Sequence, residues 1–168
     1  MITFITGGCR SGKSTLAVDL AKKNGGPVIF IATGLAIDKE MAERITRHKT
    51  QRPKGWKTFE EPEALSKRLK GLNKGTVIID CVTIYLTNLL MKKLSDARIK
   101  EEMATVIRAM DRSSADFIIV SNEVGMGIVP ATALGRKFRD LAGEVNKQLA
   151  AAAGTVYLTV SGLPLKVK

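Results

Sequence analysis

Short, nearly continuous apolar runs rich in β-branched residues recur along the chain at residues 2–6, 28–33, 77–80, 117–121 and 156–160. Runs of this kind predict strands buried on both faces, as in a parallel sheet covered by helices. Between them, residues 13–23, 39–51, 62–70, 83–94, 98–112 and 133–153 carry apolar positions at helical spacing. Gly25-Gly26-Pro27 and Asn73-Lys74-Gly75 punctuate the passages from helix to strand. The alternation predicts an open α/β fold, a mostly parallel sheet with helices on both faces. No repeat, low-complexity tract or linker divides the sequence, so residues 1–168 are expected to form a single domain. Ligands of such sheets sit at the carboxyl ends of the strands. That directs attention to the residues from Gly7, Thr33, Asp80 and Ser121 onward.

The first predicted strand runs into Gly7-Gly8-Cys9-Arg10-Ser11-Gly12-Lys13-Ser14. This satisfies G-x-x-x-x-G-K-[ST] at every fixed position, between a strand and a helix as the motif requires, so the α/β fold is expected to be P-loop NTPase-like and residues 1–168 a single P-loop nucleotide-binding domain. Glycines let the backbone curl so that successive N–H groups face phosphate oxygens, and the helix N-terminus adds its positive end. Lys13 is expected on the β and γ oxygens and the Ser14 hydroxyl on Mg²⁺. Asp80 closes the buried run Val77-Ile78-Ile79, where a carboxylate is costly unless a metal or hydrogen-bond donors meet it. Two roles are open to it, a Mg²⁺ ligand or the N-cap of the next helix, and the metal role is preferred.

His48 is the only histidine. On a helix, Met41, Ile45 and His48 share one face, and Pro53 should end that helix near Arg52. The surrounding sequence supplies Arg44, Arg47, Lys49, Arg52, Lys54 and Lys57 and no acid, although folding could return Glu60 or Glu61. Nearby cations lower an imidazole's pKa and hold it neutral and nucleophilic. The same cations would stabilise a phosphoryl group under attack. Either a structural histidine or a nucleophile acting on phosphate is compatible with this pattern. After residues 117–121, Asn122-Glu123-Val124-Gly125-Met126-Gly127-Ile128-Val129-Pro130 reads as a fixed loop at the ligand edge. Asn122 and Glu123 there could contact substrate, act as a base, or simply shape the turn.

Lys and Arg total 27 against 16 Asp and Glu, a net charge of +11. The basic excess is concentrated at 44–57, while elsewhere the signs alternate. With aromatic residues at 5% the chain has little with which to stack single strands, so nucleic acid is not the expected partner. Two cysteines build no disulfide scaffold, and Cys9 and Cys81 are read as packing residues. No secretory signal is seen, and no window approaches the roughly 18 apolar residues of a membrane span. A cytoplasmic, soluble protein is expected.

These residues resemble the bifunctional adenosylcobinamide kinase / adenosylcobinamide-phosphate guanylyltransferase family of cobalamin biosynthesis. The likeness rests on the phosphate loop, Ile31-Ala32-Thr33, Glu40-Met41, Arg44-Ile45, His48, Arg52-Pro53 and Trp56. It continues through Asp80-Cys81, Thr87-Asn88-Leu89-Leu90, residues 121–130, Phe138-Arg139-Asp140, Asn146 and residues 162–166. The Asn122 to Pro130 run and the Arg44-Ile45-x-x-His48 arrangement are its most specific parts. Ala131-Thr132 depart from the family's acidic or amide pair, and the charge is high for the family.

The resemblance implies two reactions. ATP or GTP phosphorylates the hydroxyl of adenosylcobinamide. GMP then passes from GTP through a GMP–histidine at His48 to adenosylcobinamide phosphate, giving adenosylcobinamide-GDP. It further implies that Thr33, Lys49, Thr50, Gln51, Arg52, Glu60 and Asp80 contact the guanine nucleotide, and that the protein is a homotrimer. The alternative is a P-loop kinase of another small alcohol, with one activity.

Overall fold

The computed structural model describes residues 1–35, 39–50 and 52–168, and leaves the side chains of Met41, Arg44, Arg47 and His48 outside the description. Six strands run parallel: β1 (Ile2–Gly7), β2 (Val28–Ala32), β3 (Lys57–Glu60), β4 (Thr76–Asp80), β5 (Asp116–Asn122) and β6 (Thr155–Val160). A seventh, β7 (Leu163–Lys166), turns back antiparallel on β6. Their order across the sheet is β3-β2-β4-β5-β1-β6-β7. The helices are α1 (Lys13–Asn24), α2 (Lys39–Thr50), α3 (Leu65–Arg68), α4 (Val82–Met91), α5 (Asp96–Asp111) and α6 (Ala133–Ala152).

The central strands are those whose sequence is apolar throughout, such as Phe117 to Val120 and Val77 to Ile79, all buried. Alternate residues feed two cores. On one face Phe4, Ile79 and Phe117 meet Tyr85 and Leu86 of α4, Ile99 and Met103 of α5, and Val145 and Leu149 of α6. On the other, Ile5, Phe30, Ile78 and Val120 meet Ala17 and Ala21 of α1. Those two alanines let α1 lie close to the sheet, across β5, β4 and β1. Helices therefore cover both faces, as expected.

Two strands were not predicted, and both are edges. Lys57-Thr58-Phe59-Glu60 and Leu163-Pro164-Leu165-Lys166 are mostly or wholly exposed, so they lack the buried signature that marks the others. Charge and proline are how edge strands resist further pairing. The helix expected over 62–70 contracts to Leu65–Arg68. Ahead of it, the Glu61 carboxylate accepts from the Glu63 and Ala64 amides in a turn of its own. α5 begins two residues earlier than predicted because Ser95 caps it, its hydroxyl accepting from Arg98 N–H.

β1 has β5 on one side and β6 on the other, while the chain leaving β1 passes over two strand positions to reach β2. The carboxyl end of β1 thus stands at a switch in strand order, where such sheets bind ligands.

Candidate nucleotide site

Gly7 ends β1 and Gly12 precedes α1, with φ +153° and +94°. A Cβ on Gly7 would stand 2.4 Å from the Thr159 carbonyl oxygen, and one on Gly12 would stand 3.1 Å from Gly162 Cα. Glycine is thus required at Gly7 by space, and at Gly12 by the left-handed backbone in a tight setting. Gly8, Cys9 and Arg10 are exposed, whereas Ser11 and Lys13 are buried and Ser14 is half-buried. α1 carries no acid in its first turn and no side-chain cap, so its leading N–H groups and its positive end face the loop. The structure therefore gives residues 7–14 the shape of an anion cradle.

Lys13 Nζ donates to the Gly8 carbonyl at 2.6 Å and more weakly to Ser11 Oγ at 3.4 Å. Burial pushes its ammonium below the usual lysine range, against the opposing pull of the Cys81 thiol, the Asp80 carboxylate and the Cys9 thiol. Asp80 ends β4, half-buried, in register with Ala32 of β2 and Val120 of β5. Cys81, not Asp80, occupies the N-cap of α4, and no side chain caps that helix. The capping alternative for Asp80 is therefore removed. Among the described residues no group of three His, Cys, Asp or Glu side chains could hold a metal. Asp80 and Ser14 together offer one carboxylate and one hydroxyl. That donor set is too small for a protein-only metal site, but it suits Mg²⁺ that keeps waters and takes its remaining oxygens from phosphates.

Arg52 reaches the same region from the far side. Its guanidinium carbon lies 3.8 Å from the centroid of the Phe30 ring, on the α1 face of β2. Burial pushes Arg52 below its ordinary value, opposed first by Asp80 and then by Glu60. Asp80 therefore acts electrostatically on both Lys13 and Arg52. The Nε and Nη1 atoms of Arg52 are buried without a hydrogen-bond partner. A half-buried guanidinium whose Nε and Nη1 are shielded and unpartnered is arranged to receive oxygens.

α2 ends at Thr50, and Arg52 N–H turns back to the Lys49 carbonyl. Glu60, at the end of β3, pairs with Lys49, so the fold does return an acid to the basic stretch. Thr50 is exposed. Gln51 and the His48 side chain lie outside the described residues. For His48 only its place in the last turns of α2 is on hand.

Thr33 is the first residue beyond β2, at the carboxyl end of the strand. It is wholly buried, and its hydroxyl donates to the Cys81 carbonyl while accepting from Cys81 N–H, both at 2.8 Å. Its own N–H donates to the Asp80 carbonyl at 3.2 Å. Thr33 thus clamps the backbone around Asp80.

The loop after β5 is tied to the phosphate loop, because Glu123 N–H donates to the Gly7 carbonyl at 2.9 Å. The Glu123 carboxylate accepts from Gly125 N–H at 2.7 Å, which makes it a turn-former. Asn146 of α6 donates to the Asn122 carbonyl at 3.0 Å and holds the start of that loop. Sequence reasoning missed Phe30, Thr159 and Gly162. Phe30 sits in a buried run that signals core, and Thr159 belongs to a strand far along the chain. Only Ser161-Gly162 carried a readable signal, a two-residue hairpin turn with φ +51° and +86°.

The sequence profile of the family described as "Cobinamide kinase / cobinamide phosphate guanyltransferase" matches residues 3–167. The chain is 41% identical over 182 aligned residues to the bifunctional adenosylcobalamin biosynthesis protein CobU of Escherichia coli (strain K12), covering 100% of both. It is 39% identical over 170 residues to the bifunctional adenosylcobalamin biosynthesis protein CobP of Pseudomonas aeruginosa, covering 100% of this chain and 98% of that one. Among solved structures, it superposes on an ATPase from the type III secretion system of pathogenic bacteria with a TM-score of 0.60. That match has 12% identity and covers 98% of this chain and 56% of the other. The RadB recombinase gives a TM-score of 0.52 at 15% identity, covering 94% and 73%. These two likenesses speak to the fold, which is the P-loop type expected.

Proposed function

The chain belongs to the cobinamide kinase / cobinamide phosphate guanyltransferase family, and we propose that residues 1–168, as one nucleotide-binding domain, run both of its reactions at a single nucleotide site. It is an enzyme of cobalamin biosynthesis, a kinase of adenosylcobinamide and a guanylyltransferase of adenosylcobinamide phosphate. The rival reading of a kinase with one activity has no feature of its own in its favour.

The observation that supports the single-site reading is that Asp80 ends β4 in register with Ala32 of β2, the strand whose Phe30 carries Arg52. The Asp80 carboxylate opposes the lowering of both the Lys13 and the Arg52 pKa, so its charge is felt by the phosphate loop and by the residue just past the helix bearing His48. Gly7, Gly8, Cys9, Arg10, Ser11, Gly12, Lys13 and Ser14 cradle the triphosphate of ATP or GTP by backbone N–H groups and the Lys13 ammonium. Ser14 and Asp80 hold Mg²⁺, which neutralises phosphate charge when bound. Arg52 supplies its idle donors to phosphate oxygens. Lys49, Thr50, Gln51 and Glu60 line the guanine-nucleotide side. Thr33 holds Asp80 in place.

In the kinase reaction the hydroxyl of adenosylcobinamide attacks the γ-phosphorus and the nucleoside diphosphate leaves. In the second reaction a nitrogen of His48 attacks the α-phosphorus of GTP. The N–P bond forms, the bond from that phosphorus to the bridging oxygen breaks, and pyrophosphate departs. A phosphate oxygen of adenosylcobinamide phosphate then attacks the same phosphorus, the N–P bond breaks, and adenosylcobinamide-GDP is released with His48 restored. Splitting the transfer in two suits a neutral imidazole among cations. The enzyme works in the cytoplasm as a homotrimer. No helix among the described residues is long and apolar enough to cross a membrane. Exposed Met126, Ile128 and Val129, with Leu163 and Leu165 of β7, favour burial between subunits.

Incubation with α-labelled GTP tests the intermediate. The wild-type chain should retain acid-labile label, and His48→Asn should retain none while phosphorylating adenosylcobinamide within about threefold of the wild-type rate. Equal loss of both activities in that variant would make His48 structural.

A further inference from the structure

The C-terminal hairpin braces the phosphate loop from behind, and none of the chemistry above uses it. Thr159 of β6 is 2% exposed, and its Oγ1 lies 2.7 Å from Ser11 Oγ. It also donates to the Thr6 carbonyl at 3.3 Å. On the other side of Ser11, Lys13 Nζ donates to Ser11 Oγ at 3.4 Å. A lysine ammonium can only donate and a carbonyl can only accept. Ser11 donating to Thr159, with Thr159 donating to the Thr6 carbonyl, satisfies every group in this chain of contacts, and either hydroxyl can donate in the short link. The short link is the central one, between the two buried hydroxyls. Gly162, in the turn joining β6 to β7, donates its N–H to the Ser11 carbonyl at 3.1 Å. The hairpin thus grips Ser11 by both its side chain and its backbone.

We propose that Thr159 is a positioning residue: by its hydrogen bond with the Ser11 hydroxyl it presets the phosphate loop and the Lys13 ammonium for the triphosphate. This rests on reading residues 7–14 as the nucleotide cradle. Removing the Thr159 hydroxyl leaves the buried Ser11 hydroxyl without its short partner, and such a loss is felt more than the small net worth of the bond. Valine in place of threonine keeps the shape of Thr159 and removes only its oxygen. Serine returns the oxygen without the methyl group.

The test is calorimetric binding of Mg·GTP to the full chain, with KM and kcat for adenosylcobinamide phosphorylation. Thr159→Val should weaken binding and raise the KM for nucleotide about tenfold, with kcat within about twofold, and Thr159→Ser should bind within about threefold of wild type. Ser11→Ala should reproduce the Thr159→Val loss, and adding Thr159→Val to it should cost less than about twofold more, as a shared link requires. Thr159→Val binding like wild type would overturn the proposal. So would Thr159→Ser being as damaging as valine, or Thr159→Val costing the same with and without the Ser11 hydroxyl. If Thr159→Val does not fold, Ser11→Ala decides, and wild-type affinity in that variant sinks the idea. Failure of the wild-type chain itself to bind Mg·GTP would instead remove the cradle reading on which the inference stands.

Discussion

The two flanks of the site are built by opposite means. On the flank of β1 and α1, glycines let backbone meet backbone: the space that a Gly7 Cβ would occupy is taken by Thr159, and Ser11 and Lys13 are buried. On the flank of α2 and β3, none of the described α2 side chains is buried, and Lys49 meets Glu60 in an exposed ion pair. Arg52, laid on Phe30, and Trp56, packed against the same core, are among the described residues fixed there by packing. Close packing specifies geometry in advance, whereas exposed charge contributes little rigidity. The first flank suits an anchor needed at the start of both reactions. The second suits groups whose part is to hold one particular nucleotide.

Three substitutions probe that contrast. Lys13→Ala should lower both phosphorylation and guanylyl transfer at least about 100-fold, since each needs the triphosphate anchored; survival of either activity would mean the anchor is not shared. Arg52→Lys keeps the charge but loses the planar fork and the stack on Phe30. Guanylyl transfer should fall about tenfold and phosphorylation less than threefold. Equal falls would place Arg52 with the anchor instead. Glu60→Gln should be the mildest, because an exposed pair is worth about 0–1 kcal/mol. A melting temperature within a few degrees of wild type is expected, and a larger drop would show that the α2 flank is as tightly built as the other.

What could be read beforehand follows the same division. The buried strands, the phosphate loop and Asp80 were legible because each carries a local signature: an apolar run, a glycine spacing, an acid at a strand end. β3 and β7 were not, since edge strands with lysine, glutamate or proline look like loops. The resemblance implies a nucleotide contact for Thr33, while its hold on the backbone around Asp80 is visible only in the fold, through its burial and its hydroxyl's two bonds to Cys81. Arg52 was on the expected roll of residues, but its bed on Phe30 joins positions distant in sequence, which no periodicity encodes. Thr159 is the extreme case, 148 residues from the serine it touches.

That separation sets an order of events during synthesis. The glycine-rich loop is synthesised before both neighbours of its strand, β5 and β6. Nascent chains gain such distant pairings late. A ribosome-bound intermediate lacking the β6–β7 hairpin would carry the whole motif and still hold it unbraced, so competence for nucleotide waits on that hairpin.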